Sequence, residues 1–103
     1  MKKVIDKKVY DTEKAKLVAS YSNGLSIRDF KHVYEDLYQT KSGQFFLHVQ
    51  GGPLTSYSIK EGNMTHGVED IILIYKDDAY EWLENHNKMV EIEEIFPEII
   101  SEG

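Results

Sequence analysis

HVYEDLYQTKSGQFFLHVQGGP, residues 32–53, decides how the rest of the chain folds. Val33, Leu37, Phe45, Leu47 and Val49 fall at alternating positions, the period of a half-buried strand. Lys41-Ser42-Gly43 separates the two apolar runs. Gly43 can take the positive φ that closes a three-residue hairpin loop with a bulge. That loop sets Thr40 opposite Gln44, Tyr38 opposite Phe46 and Leu37 opposite Leu47. A two-residue loop would place Leu37 beside His48 and mix the faces, so the apolar pattern selects the bulged loop. One face then carries Val33, Leu37, Phe45, Leu47 and Val49, and the other Tyr34, Tyr38, Phe46 and His48. Gly51-Gly52-Pro53 ends the ladder, because Pro has no N–H to donate.

Upstream, Val4-Ile5 and Val9-Tyr10 flank Asp6-Lys7-Lys8, which predicts an N-terminal hairpin whose lysines (Lys2, Lys3, Lys7, Lys8) suit an edge. Asp11 or Thr12 is placed to cap a helix. Ala15, Val18, Ala19 and Ser22 follow at three-to-four spacing, with Leu17 and Tyr21 beside them, and Asn23-Gly24 ends the helix. Leu25 to Lys31 reads as a connection, with Leu25, Ile27 and Phe30 as core anchors.

Downstream, Leu54 to Ile59 reads as a short strand or an extended loop, and Lys60 to Val68 as a loop. Ile71-Ile72-Leu73-Ile74-Tyr75 is continuous apolar sequence, expected of a strand covered on both faces in the middle of the sheet. Asp77 or Asp78 starts a helix with Ala79, Trp82, Leu83 and His86 inward, closed by Asn85 and Asn87. A third helix fits Met89 to Phe96, with Met89, Ile92, Ile95 and Phe96 at helical spacing; Pro97 ends it, and fraying is expected from Glu98 on. The predicted order is ββαβββαα. It defines a single α+β domain over residues 1–103: a mainly antiparallel sheet around a central β-hairpin, with two to three helices packed on it.

Composition narrows the functional classes. The chain has no cysteine, so disulfides, thiol catalysis and cysteine zinc sites are excluded, and a cytoplasmic setting is expected. No apolar run is long enough to span a membrane, and MKKVIDKKVYD lacks the apolar stretch of a signal peptide. The formal charge of −6 is unevenly spread. Residues 1–60 hold ten Lys/Arg against six Asp/Glu, whereas residues 61–103 hold two against twelve. The C-terminal part is therefore a concentrated anionic segment, either a solvated surface or a patch that meets a basic partner.

No catalytic constellation stands out. The four histidines, His32, His48, His66 and His86, lack metal-ligand spacing, and there is no HExxH, GxSxG, GxGxxG or phosphate loop. Glu69-Asp70 precedes a strand, as in metal-dependent nucleases, but no acidic-x-Lys follows. The expectation is a protein with no enzymatic activity, no metal and no cofactor. The non-core face of the hairpin offers a different chemistry. Tyr34, Tyr38, Phe46 and His48 would form an aromatic strand surface of the kind on which single-stranded nucleic acids stack. The favoured reading is that a helix covers this face too, because helices must bury their apolar stripes.

Four segments carry a resemblance. KKVIDKKVYDTEKAK, then SNG at Ser22 to Gly24, then DLYQTKSGQFFLHVQGGPLTSY, then EDIILIYKDDAYEWLENH together resemble a group of small proteins from phages and conjugative elements of Firmicutes. Members read K-x-Y-D-T-x-T-A, S-N-G, L-Y-x-T-K-x-G-x-F-F-L-H-G-x-G-G-P and E-A-x-E-W. The likeness spans most of the chain and is most specific in LYQTKSGQFFLH…GGP. It departs at Lys14, where Thr is usual, and at Val49-Gln50, where Gly-acidic is usual. Some small mobile-element proteins of this kind are anti-CRISPR inhibitors. The resemblance implies a non-enzymatic inhibitor, acting in the cytoplasm of a host bacterial cell, whose partner is a CRISPR effector nuclease; the alternative, from the aromatic strand face, is a module that binds single-stranded nucleic acid such as guide RNA. Such an effector holds its nucleic acids in positively charged channels, which an acidic protein can occupy by imitating phosphates. The candidate partner-binding residues are Asp77, Asp78, Glu81, Glu84, Glu91, Glu93 and Glu94.

Overall fold

A computed structural model describes residues 1–100 of the chain. Eight strands precede two helices: β1 (Lys2–Ile5), β2 (Lys8–Asp11), β3 (Lys16–Ser22), β4 (Val33–Gln39), β5 (Phe45–Gly51), β6 (Ile59–Glu61), β7 (Met64–His66), β8 (Val68–Ile74), α1 (Lys76–Asn85) and α2 (Met89–Ile95). The fold is α+β, as expected. A four-stranded antiparallel sheet runs in the order β3-β4-β5-β8, and two separate hairpins, β1-β2 and β6-β7, flank it.

The central hairpin has the anticipated register. Leu37 pairs with Leu47 and Tyr38 with Phe46. Thr40 N–H donates to the Gln44 carbonyl at 2.9 Å, and Gly43 sits at φ 94°, a backbone state that a side chain would strain. At the far end Gly51 is still within the ladder, paired with Val33 and Val68. Gly52 is required by packing: a Cβ there would overlap the Phe30 carbonyl.

Both faces of the sheet are buried, but by different covers. On one face Leu37, Phe45, Leu47 and Val49 meet Ala79, Trp82 and Leu83 of α1 and Ile92 and Phe96 of the α2 segment. On the other, Phe46 and Ile71 meet Tyr10 of β2, with Ile5, Ala15, Tyr38 and Leu73 around them. Phe46 stacks on Tyr38 at 5.2 Å between centroids and takes Tyr10 edge-on at 5.8 Å. The cover expected to be a helix is thus the N-terminal β-hairpin. Its two-residue turn, Asp6-Lys7, has both φ values positive (49° and 68°), the twist that a tight hairpin needs.

The largest correction concerns residues 16–22. They form strand β3, paired with β4, and not a helix. A register shift between Leu17 and Ala19 leaves Val18 as an extra residue. That bulge lets the neighbours Val18 and Ala19, with Tyr21, pack on the same core, so the two-residue period is broken into something resembling three-to-four spacing. Asp11 does use capping chemistry, but in a single turn. Its side chain accepts the Glu13 N–H at 2.9 Å, and its carbonyl accepts Lys14 and Ala15.

Three smaller corrections follow. The apolar strand β8 is an edge strand, not a central one. Ile71 lies under the N-terminal hairpin and Ile74 against the helices, while Ile72 is exposed. Ile27 and Phe30 are not core anchors: Phe30 is 65% exposed, and the 23–32 loop is held by polar bonds. Among these, Asn23 Nδ2 donates to the Lys31 carbonyl and the Asn23 side-chain oxygen accepts Val33 N–H. Part of the segment read as a loop, Lys60 to Val68, pairs as the β6-β7 hairpin.

The helices were legible. Ala79, Trp82 and Leu83 are buried, and Tyr75 is the N-cap, with Asp78 accepting the Tyr75 N–H at 3.2 Å. This reciprocal half of a capping box puts the first helical residue one position before Asp77. Asn87, at φ 56°, turns the chain into α2. Phe96 is buried, and the Ile99 N–H donates to its carbonyl, so the chain keeps a turn beyond Pro97. The fraying expected further on, at 101–103, lies outside the described residues.

Candidate functional site

The seven carboxylates singled out from sequence lie on α1 and α2. Asp77, Asp78, Glu81, Glu84, Glu93 and Glu94 are exposed, and Glu91 is half-buried. Among the described residues, none of the seven forms a salt bridge. Two have internal work. Asp78 caps α1, and Glu84 accepts the Tyr80 hydroxyl at 2.7 Å. That hydrogen bond raises the Tyr80 pKa.

The structure brings Asp78 and Glu81 together at one depression. It holds about 240 Å³ and is lined by Leu47, Ile74, Asp78, Glu81, Trp82 and Asn85. The spacing explains the grouping. Asp78, Glu81 and Asn85 recur three and four apart along one flank of α1, while Trp82, four residues from Asp78, packs down onto β5. The result is an apolar floor with two carboxylates at its rim. Asp78 engages one oxygen in the cap, and a carboxylate has about four acceptor sites, so it can also receive an external donor. Asp77, Glu84 and the three α2 carboxylates line no part of this depression.

The aromatic strand face is covered, as the favoured reading expects, and is not the open stacking platform of the alternative. Phe46 is 0% exposed and Tyr38 half-buried, both under Tyr10. Burial, with the Asp36 charge second, raises the Tyr38 pKa. Tyr34 is half-buried and its hydroxyl donates to the Leu25 carbonyl. His48 is held between two carboxylates, with Nε2 2.8 Å from Glu69 and Nδ1 3.9 Å from Asp36. A base could reach neither face of the Phe46 ring.

Glu69 and Asp70 each have a partner, His48 and Lys3 respectively, with Lys3 Nζ donating at 2.7 Å. That bond is the main reason the Asp70 carboxyl titrates below its usual value. Among the described residues no group of three His, Asp or Glu side chains is positioned to hold a metal ion, and no helix is long and apolar enough to cross a membrane.

One cluster escaped sequence reading altogether. Glu35 projects from β4 into the helix-covered core, where its carboxylate is 14% exposed. It accepts Trp82 Nε1–H at 2.9 Å and the Tyr57 hydroxyl, and His86 Nε2 lies 3.7 Å away. Tyr21 stacks on His86 at 4.0 Å. Burial and the hydrogen bond to Glu35 raise the Tyr57 pKa. Four chain segments meet there: β3, β4, the 52–58 loop and α1. The only hint in the sequence is Glu35 at an inward position of the strand pattern, where an unpaired charge would be too costly to leave.

No protein-family model, no curated protein and no solved structure matches this chain. Fold and surface together define a small α+β domain with helices on one side of its sheet that carry seven carboxylates free of salt bridges among the described residues.

Proposed function

We propose that this protein is a binding protein whose acidic helical layer docks on a cationic protein surface, and that it acts as an anti-defence inhibitor of an RNA-guided nuclease effector, an anti-CRISPR role. The carrying observation is the set of seven helical carboxylates that have no cationic partner among the described residues, two of them rimming an apolar-floored depression. That depression suits an arginine side chain. The aliphatic stem lies over Leu47, Ile74 and Trp82, and the planar guanidinium meets Asp78 and Glu81 in the fork geometry that carboxylates favour. The nuclease-effector setting rests on the resemblance to mobile-element proteins, whose carriers must survive host defence. Such effectors present arginine- and lysine-lined channels for their nucleic acids.

The reading is tested by adding the protein to a guide-loaded effector and following target cleavage as salt rises. Inhibition is expected to be strong at low ionic strength and to weaken across the range in which exposed charges are screened. Inhibition indifferent to salt would contradict docking by charge.

A further inference from the structure

A second charged feature lies on the hairpin side of the sheet and has the opposite sign. Three contiguous depressions share Thr40. The first holds about 290 Å³ and is lined by Val9, Asp11, Lys14, Ala15, Thr40 and Lys41. It opens on one side toward Lys8, Ser42 and Gln44, and on the other toward Lys16 and Gln39. The groove therefore runs between the N-terminal hairpin with its link to β3 and the loop that joins β4 to β5.

Four lysines, Lys8, Lys14, Lys16 and Lys41, border this groove. All four are exposed and none forms a salt bridge among the described residues. The one carboxylate in the lining, Asp11, accepts the Glu13 N–H. The Thr40 hydroxyl, common to all three depressions, lies 3.0 Å from the Ser42 hydroxyl, which lines one end. Val9 and Ala15 add apolar wall. A local surplus of positive charge within a chain of formal charge −6 is a concentrated feature that the whole-molecule charge hides. Beyond a Debye length of about 10 Å the opposing acidic helices are largely screened at ordinary salt.

We infer that this groove binds the backbone of a single-stranded nucleic acid. Its elongated shape and four separated cations fit a chain of phosphates better than one ion. The hydroxyls can donate to phosphate oxygens, and Val9 and Ala15 can pack against sugars or base edges. The apolar wall of Val9 and Ala15 beside the lysines favours a single strand, whose unpaired bases leave apolar faces open, over a duplex, whose bases are stacked inside. This site replaces the buried Tyr38–Phe46 face as the place where nucleic acid meets the protein. It lies on the other side of the sheet from the acidic helices and does not depend on their function.

The test is fluorescence anisotropy of a labelled oligothymidylate of about 12 nucleotides, at salt from about 50 to 200 mM. Four phosphate contacts predict a log–log salt slope of about −3, and hence about 50-fold weaker binding across that range. Replacing Lys14 and Lys41 with Gln keeps a flexible polar side chain at each position and removes two charges. The slope should fall to about −1.4, leaving about a 7-fold loss. A thermal unfolding curve on the same sample establishes that the variant is folded. No anisotropy change at the lowest salt overturns the inference, as does a folded variant that binds with an unchanged slope. Equal affinity for a blunt duplex of the same length would overturn the assignment to single strands.

Discussion

The two faces of the β3-β4-β5-β8 sheet solve the same problem with unequal means. The helix side buries a broad cluster that includes Leu37, Phe45, Val49, Leu83 and Phe96, and it locks that cluster with the Glu35 hydrogen bonds. The hairpin side buries only Tyr10, Phe46 and Ile71 as fully covered members. The N-terminal hairpin also leaves Val4 and Val9 exposed. Charge follows the same division: among the described residues, seven carboxylates without salt bridges lie on the helices, and four lysines without salt bridges border the groove beside the hairpin. The lesson is that a sheet buried on both faces lets one short chain present two surfaces of opposite sign, each on a cover of different strength.

The contrast is broken most severely by emptying each side in turn. Phe96→Ala removes a wholly buried ring that contacts Phe45 and Tyr80, and should cost about 3–5 kcal/mol of global stability. Tyr10→Ala empties the hairpin side and should release β1-β2 while the four-stranded sheet persists. Hydrogen exchange distinguishes the two outcomes. Amides of β1 and β2 should lose protection in Tyr10→Ala without matching loss in β4 and β5. Equal loss in both regions would mean that the two cores are one cooperative unit.

The next effect comes from the Glu35 clamp. Glu35→Ala leaves the Trp82 N–H and the Tyr57 hydroxyl without their acceptor, at a cost of about 3 kcal/mol by denaturant unfolding. The clamp also carries a pH signature. The Tyr57 pKa is raised in the folded state, so its contribution is complete below the ordinary tyrosine value of about 10. Above that, the unfolded chain ionises first and stability falls with rising pH. Tyr57→Phe should be less stable at neutral pH and show a smaller alkaline loss than wild type. An identical alkaline slope would remove Tyr57 from the account.

How much of this was legible in the sequence depended on whether a period was clean. The β4-β5 hairpin could be read to the residue, because Gly43 and the apolar alternation pointed to one register. The α1 stripe was equally plain at Ala79, Trp82 and Leu83. β3 was misread because one bulged residue, Val18, breaks the alternation, and only the pairing with β4 resolves it. β8 reads as central because its residues are apolar, but lateral order in a sheet is set by long-range pairing that composition does not record. At the site, the acidic residues were visible as charge, whereas the floor of Leu47 and Ile74 beneath Asp78 and Glu81 comes from strands distant in sequence. The groove lysines are scattered over three segments, and only Lys8 stands in a lysine cluster visible in the sequence.

The smallest effect sharpens the charge side of the comparison. Lys3 ties the hairpin to β8 through Asp70, and both side chains are more than a third exposed, so the pair is worth about 0.2–1 kcal/mol. The Asp70 pKa is lowered on folding, so this stability is present above the ordinary carboxylate value and is lost as pH falls through the depressed one. Lys3→Met should therefore be less stable than wild type near neutrality and indistinguishable from it in strong acid. A difference that persists at low pH would point to packing of the lysine stem instead of the ion pair.

The central claim is that the helical carboxylates are a docking surface. The most direct measurement compares inhibition of a purified guide-loaded nuclease effector by wild type and by a Glu81→Lys, Glu93→Lys, Glu94→Lys variant. These positions leave the Asp78 cap and the Glu84–Tyr80 bond untouched. Exposed changes of this kind usually shift stability by less than about 0.5 kcal/mol, which an unfolding curve on the same sample verifies. Wild type is expected to inhibit and the folded variant to lose inhibition, since a wrong-sign contact repels instead of merely disappearing. Absence of inhibition by wild type, or equal inhibition by the folded variant, would contradict the claim.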